Sequence, residues 1–264
     1  MSEDTVNTTN VWDRPHFEKP FDDPFLFFVL FGVENTQLYL SRKVHNIDEC
    51  PKELNIQYYS KDSSDEERNY IEGFFDGPIS RLLETQNKAL FDQAITAKDV
   101  VVVSGTFFES NSLNYLKNCL GVVKALTMNK NVPILNYQTF QLMSSDDWAE
   151  KYFEPRQPNP CGHVVILYSK EQEGLWFHTR GMRVFGRPDL SLVAWPEDKT
   201  QEAQGIINRF IELYALGTYP EDDRALRVAG LPDGMITSLK GGHDNLDFNN
   251  YFIEITWPHD SGIV

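Results

Sequence analysis

VVVVSGTFFESNSLNYLKNCLGVVKALTMNKNVPIL, residues 100–135, is the stretch whose reading decides the fold. Val100 to Val103 form an unbroken β-branched run, which predicts a strand buried on both faces. Leu113 to Met128 predict a helix, and Val132 to Leu135 a second strand. A strand, a helix of this length and a strand predict a βαβ crossover. Ser104, Gly105 and Thr106 lie at the strand-to-helix junction, where backbone amides can meet an anion. The run lacks the Gly-Lys-Ser/Thr ending of a phosphate loop and the G-x-G-x-x-G of a dinucleotide fold. A helix capped by Ser110 or Ser112 is the plainer reading.

Working outward toward the N-terminus, residues 1–23 read as a loose arm with Pro15 and Pro20 in polar surroundings. PFLFFVLFG, residues 24–32, predicts a buried strand over Phe25 to Phe31, with Gln37 to Ser41 pairing to it across a turn. Asn55 to Tyr59 predict another strand. KDSSDEERN carries cap residues ahead of helical sequence. Ile79, Leu82, Leu83, Leu90 and Ala94 recur at helical spacing, which predicts an amphipathic helix from Pro78 onward.

Toward the C-terminus, FEPRQPNPCG, residues 153–162, reads as a linker. It divides an N-terminal α/β half, 24–152, from a C-terminal α+β half, 163–264; one continuous domain is the alternative. Strands are expected at His163 to Tyr168, Leu190 to Trp195, Arg224 to Val228 and Tyr251 to Trp257. The clearest helix runs from Thr200 to Leu216, where Ile206, Ile207, Phe210, Ile211 and Tyr214 share a face and Gly217 stops it. The fold class is α+β (mixed α/β), with one or two mixed sheets and flanking helices.

The chain carries 24 basic and 39 acidic residues, 24 − 39 = −15. That sign disfavours nucleic acid and anionic membranes and favours a basic protein partner. Cys50, Cys119 and Cys161 are odd in number and widely spaced, which predicts reduced thiols and a cytoplasmic protein. The N-terminus is polar and acidic, unlike a signal peptide. The apolar run at 24–32 is too short to span a bilayer.

HTRGMRVFGRPDL, residues 178–190, gathers three arginines against the overall charge. Thr179 is expected to cap a short helical turn over Arg180 to Phe185, and Gly186 to end it in the left-handed conformation. Asp189 then opens the next strand. His178, Arg180, Arg183 and Arg187 are candidate anion-binding residues. Alternatively, the arginines pair with carboxylates such as Asp189 or Glu254 and pin the turn.

KGGHDNLDFNN, residues 240–250, offers His243, Asp244, Asn245 and Asp247 as a candidate polar loop. Its spacing departs from an EF-hand calcium loop, and turn formation explains the same residues. Cys161 and His163 lack a second ligand pair, so no metal site is expected. Cys161 could act as a nucleophile only through a histidine brought near in space, His163 or His178. Trp148, Trp176, Trp195 and Trp257 read as core. No G-x-S-x-G elbow is present, and no cofactor is implied.

HVVILYSKE, LWFHTRGMRVFGRPDLSL, NRFIELYALG, VAGLPDGM and DFNNYFIEI, with the upstream residues 100–126 and DDWAEKYFEP, resemble an uncharacterised bacterial family. The resemblance spans roughly residues 95–258, and HTRGM and FGRPDLS are its most specific motifs. It implies a soluble bacterial cytosolic protein, with a loose relation to proteins encoded near toxin and immunity genes, and assigns no catalytic residue. Two functions follow as expectations. The first is a binding, regulatory or immunity-like protein for a basic partner. The second is an enzyme or sensor for a small anionic ligand held by the arginines.

Overall fold

The structure, a computed structural model, describes residues 11–258. The architecture is α+β, with two sheets and seven α-helices among these residues. The chain forms two compact units. Of the described residues, 11–14, 27–105 and 111–159 belong to the first, and 15–26, 106–110 and 160–258 to the second. Among the described residues the chain passes between the units five times, the last between 159 and 160, inside the 153–162 stretch.

The first unit is built from β1 (Phe25–Phe31, whose first two residues belong to the second unit), α1 (Arg42–His45), β2 (Leu54–Ser60), α2 (Asp65–Gly73), α3 (Gly77–Gln86), α4 (Lys88–Thr96), β3 (Asp99–Thr106), α5 (Asn114–Leu126), β4 (Pro133–Asn136), β5 (Gln141–Ser144) and α6 (Ser145–Trp148). The sheet order is β2-β3-β1-β4-β5. β2–β3, β1–β4 and β4–β5 pair antiparallel. β1 and β3 do so too, because Gly32 N–H donates to Asp99 at one end and Phe107 N–H to Pro24 at the other.

The expected crossover through α5 exists, but it steps over β1. β3 and β4 run in the same direction with β1 between them, so they are not paired neighbours. The four valines of β3 are at most 1% exposed, as a strand covered on both faces requires. On one face Val29, Phe31, Val100, Val102 and Leu135 pack with Ile71, Leu83, Phe91 and Ala94 of α2, α3 and α4. On the other, Phe28 meets Trp148 edge-on at 5.9 Å.

Several local expectations need correction. Residues 37–41 form no strand: the Ser41 hydroxyl accepts from Val44 N–H and caps α1, which ends any extended run there. The single helix from Pro78 is two helices. Asn87 takes φ −160° and caps the second by accepting from Leu90 N–H. Leu113 holds the N-terminal cap position of α5, and Ser112, just before it, forms a backbone bridge with Asp13. The described part of the N-terminal arm is packed. Trp12 is 2% exposed and its indole donates to the Arg156 carbonyl. Residues 16 and 18 bond to the carbonyls of Leu216 and Gly217 within the second unit. Residues 1–10 of the expected arm lie outside the described residues.

The second unit contains β6 (Val165–Glu171), β7 (Gly174–Arg180), β8 (Asp189–Trp195), α7 (Thr200–Ala215), β9 (Ala225–Leu226), β10 (Met235–Gly242) and β11 (Asn250–Thr256). Their order is β6-β7-β8-β11-β10-β9, with β8 and β11 parallel and the other neighbours antiparallel. α7 packs on β8 through the apolar stripe that its spacing predicts, with Ile207 and Ile211 fully buried. Phe177, Leu190, Leu192, Ile253 and Ile255 are buried on one sheet face. The alternate residues Trp176, His178, Val193, Phe252 and Glu254 point to the other and keep partial exposure.

β7 and β8 do not pair evenly. The register shifts between Leu175↔Trp195 and Phe177↔Leu192, so Val193 and Ala194 together oppose Trp176. Two residues against one is a β-bulge. Ala194 takes φ 55° there, and Gly174 sits where a Cβ would stand 2.7 Å from the Trp195 carbonyl.

Candidate functional site

The motif at 178–190 spans the end of β7, a 3-10 turn at Met182–Phe185 and the start of β8. Thr179 lies in the strand and does not cap the turn; Gly181 holds that position. The Thr179 hydroxyl donates to Asp189 Oδ1 at 2.7 Å and accepts from Leu190 N–H at 2.8 Å. Asp189 also accepts from Met182 N–H and from the Asn250 side chain at 2.8 Å. Its full burial pushes the carboxyl up to about 6, against the opposing effect of these donors and of Arg180. Gly186 ends the turn at φ 66°, as expected, and its Cβ would meet the Asp22 carbonyl at 2.3 Å. Glycine is required there on both counts.

The three arginines have different surroundings. Arg187 Nη2 stands 2.9 Å from Glu109 Oε1, with both side chains fully buried. Its Nε donates to the main-chain carbonyl of Tyr214, and Nη2 also to those of Lys19 and Gly217. The sequence had suggested Asp189 or Glu254 as the paired carboxylate. Instead Glu254 pairs with Lys240, its diagonal neighbour across β10 and β11. Arg180 Nη1 donates to the Asp247 carbonyl and Arg183 Nη1 to that of Asn249 at 3.4 Å. The Arg183 guanidinium also lies over the Phe25 ring at 4.6 Å, and burial pulls its pKa down while Asp22 opposes the shift.

The polar loop at 243–249 is a folded turn. Asn245 Oδ1 accepts from the amides of Asp247 and Phe248, each at 3.0 Å. That is the local bonding by which Asn makes turns. Asp244 is exposed. His243 Nε2 meets Asp22 Oδ2 at 2.6 Å and so has a partner separate from that of His178. His178 stacks on Trp176 at 4.2 Å, and its buried Nδ1 has no hydrogen-bond partner. Burial lowers its pKa, Asp247 opposes this, and Arg180 adds to it. The structure thus joins Arg180 and Arg183 to the 247–249 main chain and leaves Arg187 and His243 with separate partners.

Cys161 is half-buried and weakly bonded to the Asn208 carbonyl; burial, then Glu212, raises its pKa. That is the opposite of nucleophile activation. His163 packs edge-on to Phe185 at 5.8 Å. Among the described residues, no group of three or more His, Cys, Asp or Glu side chains could hold a metal ion.

The bulge marks a different place. An open groove of ≈ 570 Å³ is lined by Glu171, Gln172, Glu173, Trp176, Val193, Ala194 and Thr256. The Trp176 indole is fixed by donating to Ser191 Oγ at 2.9 Å and by its stack on His178. Trp148 and Trp195 are core, as the sequence suggests, but Trp176 is half-buried and lines this groove. The signal for it in the sequence is a tryptophan two residues beyond the Glu-Gln-Glu-Gly turn of the β6–β7 hairpin.

No family model, curated protein or solved structure matches the chain. Among the described residues, no helix is long and apolar enough to cross a membrane.

Proposed function

We propose that this chain is a bacterial cytoplasmic binding protein of the regulatory or immunity-like kind, and that it takes a basic protein partner. Its contact point would be the Trp176 groove, which receives a lysine or arginine side chain of the partner. The observation that carries this reading is a fixed, half-buried indole beside two exposed carboxylates, Glu171 and Glu173. An aromatic face attracts a cation through its quadrupole, and flanking carboxylates add charge complementarity. The lowered pKa of His178 favours a neutral ring at pH 7, so the stacked imidazole does not repel a cation. The net charge of −15 steers such a partner toward the protein.

The alternative is an enzyme or sensor that holds a small anion on Arg180, Arg183 and Arg187. It has less support, because Arg187 is already paired with buried Glu109 and bonded to three carbonyls. Hydrogen exchange with and without octalysine tests the proposal. Added protection should centre on residues 169–178 and on Val193 and Ala194. Protection elsewhere, with none in this hairpin, would contradict it.

A further inference from the structure

A second cleft, of ≈ 480 Å³, lies between α7 and residues 226–231. Its walls are apolar: Ile206, Phe210 and Leu213 from the helix, Leu226, Val228 and Leu231 from the facing segment. Its size and lining are those of a small-molecule site. Two exposed arginines, Arg209 and Arg227, also line it. Neither makes an ion pair or hydrogen bond among the described residues, in a chain where acids outnumber bases 39 to 24. The one acid in the lining, Glu202, is engaged by Lys199 at 3.2 Å.

Gly205 gives an independent sign that the space is kept open. It sits inside a 16-residue helix, where glycine is disfavoured, and a Cβ there would meet nothing within 4 Å. No close packing or positive φ explains it. A larger side chain at 205 would instead project into the cleft that this residue lines.

We infer that this cleft binds an amphipathic carboxylate, with a single apolar chain along Ile206, Phe210 and Leu213 and its head group on Arg209 and Arg227. Two unpaired guanidinium groups select an anion, and their planar donors suit a carboxylate. A cationic amphiphile would meet those charges, with only the already engaged Glu202 to offset them. This inference concerns a different surface from the Trp176 groove and stands apart from the proposed function.

The test is calorimetric titration of the whole protein with sodium dodecanoate, kept below its micelle concentration, alongside decanoate and a neutral maltoside of the same chain length. Dodecanoate should bind at one site, roughly tenfold tighter than decanoate, since each buried methylene multiplies affinity about three- to fourfold. The neutral analogue should bind at least tenfold more weakly. Arg209→Glu with Arg227→Glu should weaken dodecanoate at least tenfold, and Gly205→Leu should block it while leaving the protein folded and thermally no less stable. Equal binding of the neutral analogue, an unaffected double-arginine or Gly205→Leu variant, or no binding of dodecanoate would each overturn the inference.

Discussion

Arg187 Nη2 lies 2.9 Å from Glu109 Oε1, and neither side chain reaches solvent. The pair ties the segment 106–110 to the turn that precedes β8, within one unit. Glu109 Oε2 also accepts from Phe21 N–H, so one carboxylate holds two chain segments. Removing one partner of such a pair leaves a buried charge, which typically costs about 3–5 kcal/mol. Glu109→Gln and Arg187→Met should each lower stability by about that amount in urea unfolding, with an unchanged denaturant slope. A loss under about 1 kcal/mol for both would contradict the structural role assigned to the pair.

Asp189 makes a pH-dependent contribution. Its pKa is raised from 3.8 to about 6 by burial. Between these values the unfolded chain has released the proton and the folded chain keeps it. The Asp189 contribution is therefore fully present below about pH 4 and lost as pH rises through about 6, a span of about 3 kcal/mol. The stability gap between the natural protein and Asp189→Asn should be larger at pH 4 than at pH 7. A gap independent of pH, measured by denaturant unfolding at both values, would show that Asp189 titrates normally.

Two glycines should respond in opposite directions. Gly186→Ala places a Cβ 2.3 Å from the Asp22 carbonyl at φ 66°, and should cost at least about 2 kcal/mol. Gly205→Ala meets nothing and improves helix propensity, so it should add about 0.5–1 kcal/mol. Paired thermal melts check both, and the same sign for the two substitutions would contradict the described packing.

The sequence makes the long, strongly patterned elements legible. The valines of β3 and the stripe of α7 carry one-sided or continuous burial in their residue types, and Gly186 announces its own left-handed turn. What depends on distant partners does not show. β7 is missed because Trp176 and His178, both half-buried, and the buried but charged Arg180 break the apolar run. Thr179 looks like a cap, since Thr caps helices, yet its hydroxyl bonds to Asp189 on the adjoining strand. Glu109 gives no local sign of its pairing, because Arg187 is far along the chain. The site suffers most: the arginines draw attention by charge, while the Trp176 groove depends on a register shift that no residue spacing reveals.

The affinity of octalysine for the protein and its groove variants tests the central claim most directly. Bulk charge alone would draw a polycation to any acidic surface, so the control is Asp65→Lys with Glu66→Lys, two exposed acids of α2 in the other unit. Trp176→Ala, and separately Glu171→Lys with Glu173→Lys, should each weaken binding about tenfold or more at 0.15 M salt, while the α2 variant stays within about twofold. Equal weakening by the α2 and groove variants would mean that octalysine reads only net charge, and the groove would then not be the binding site.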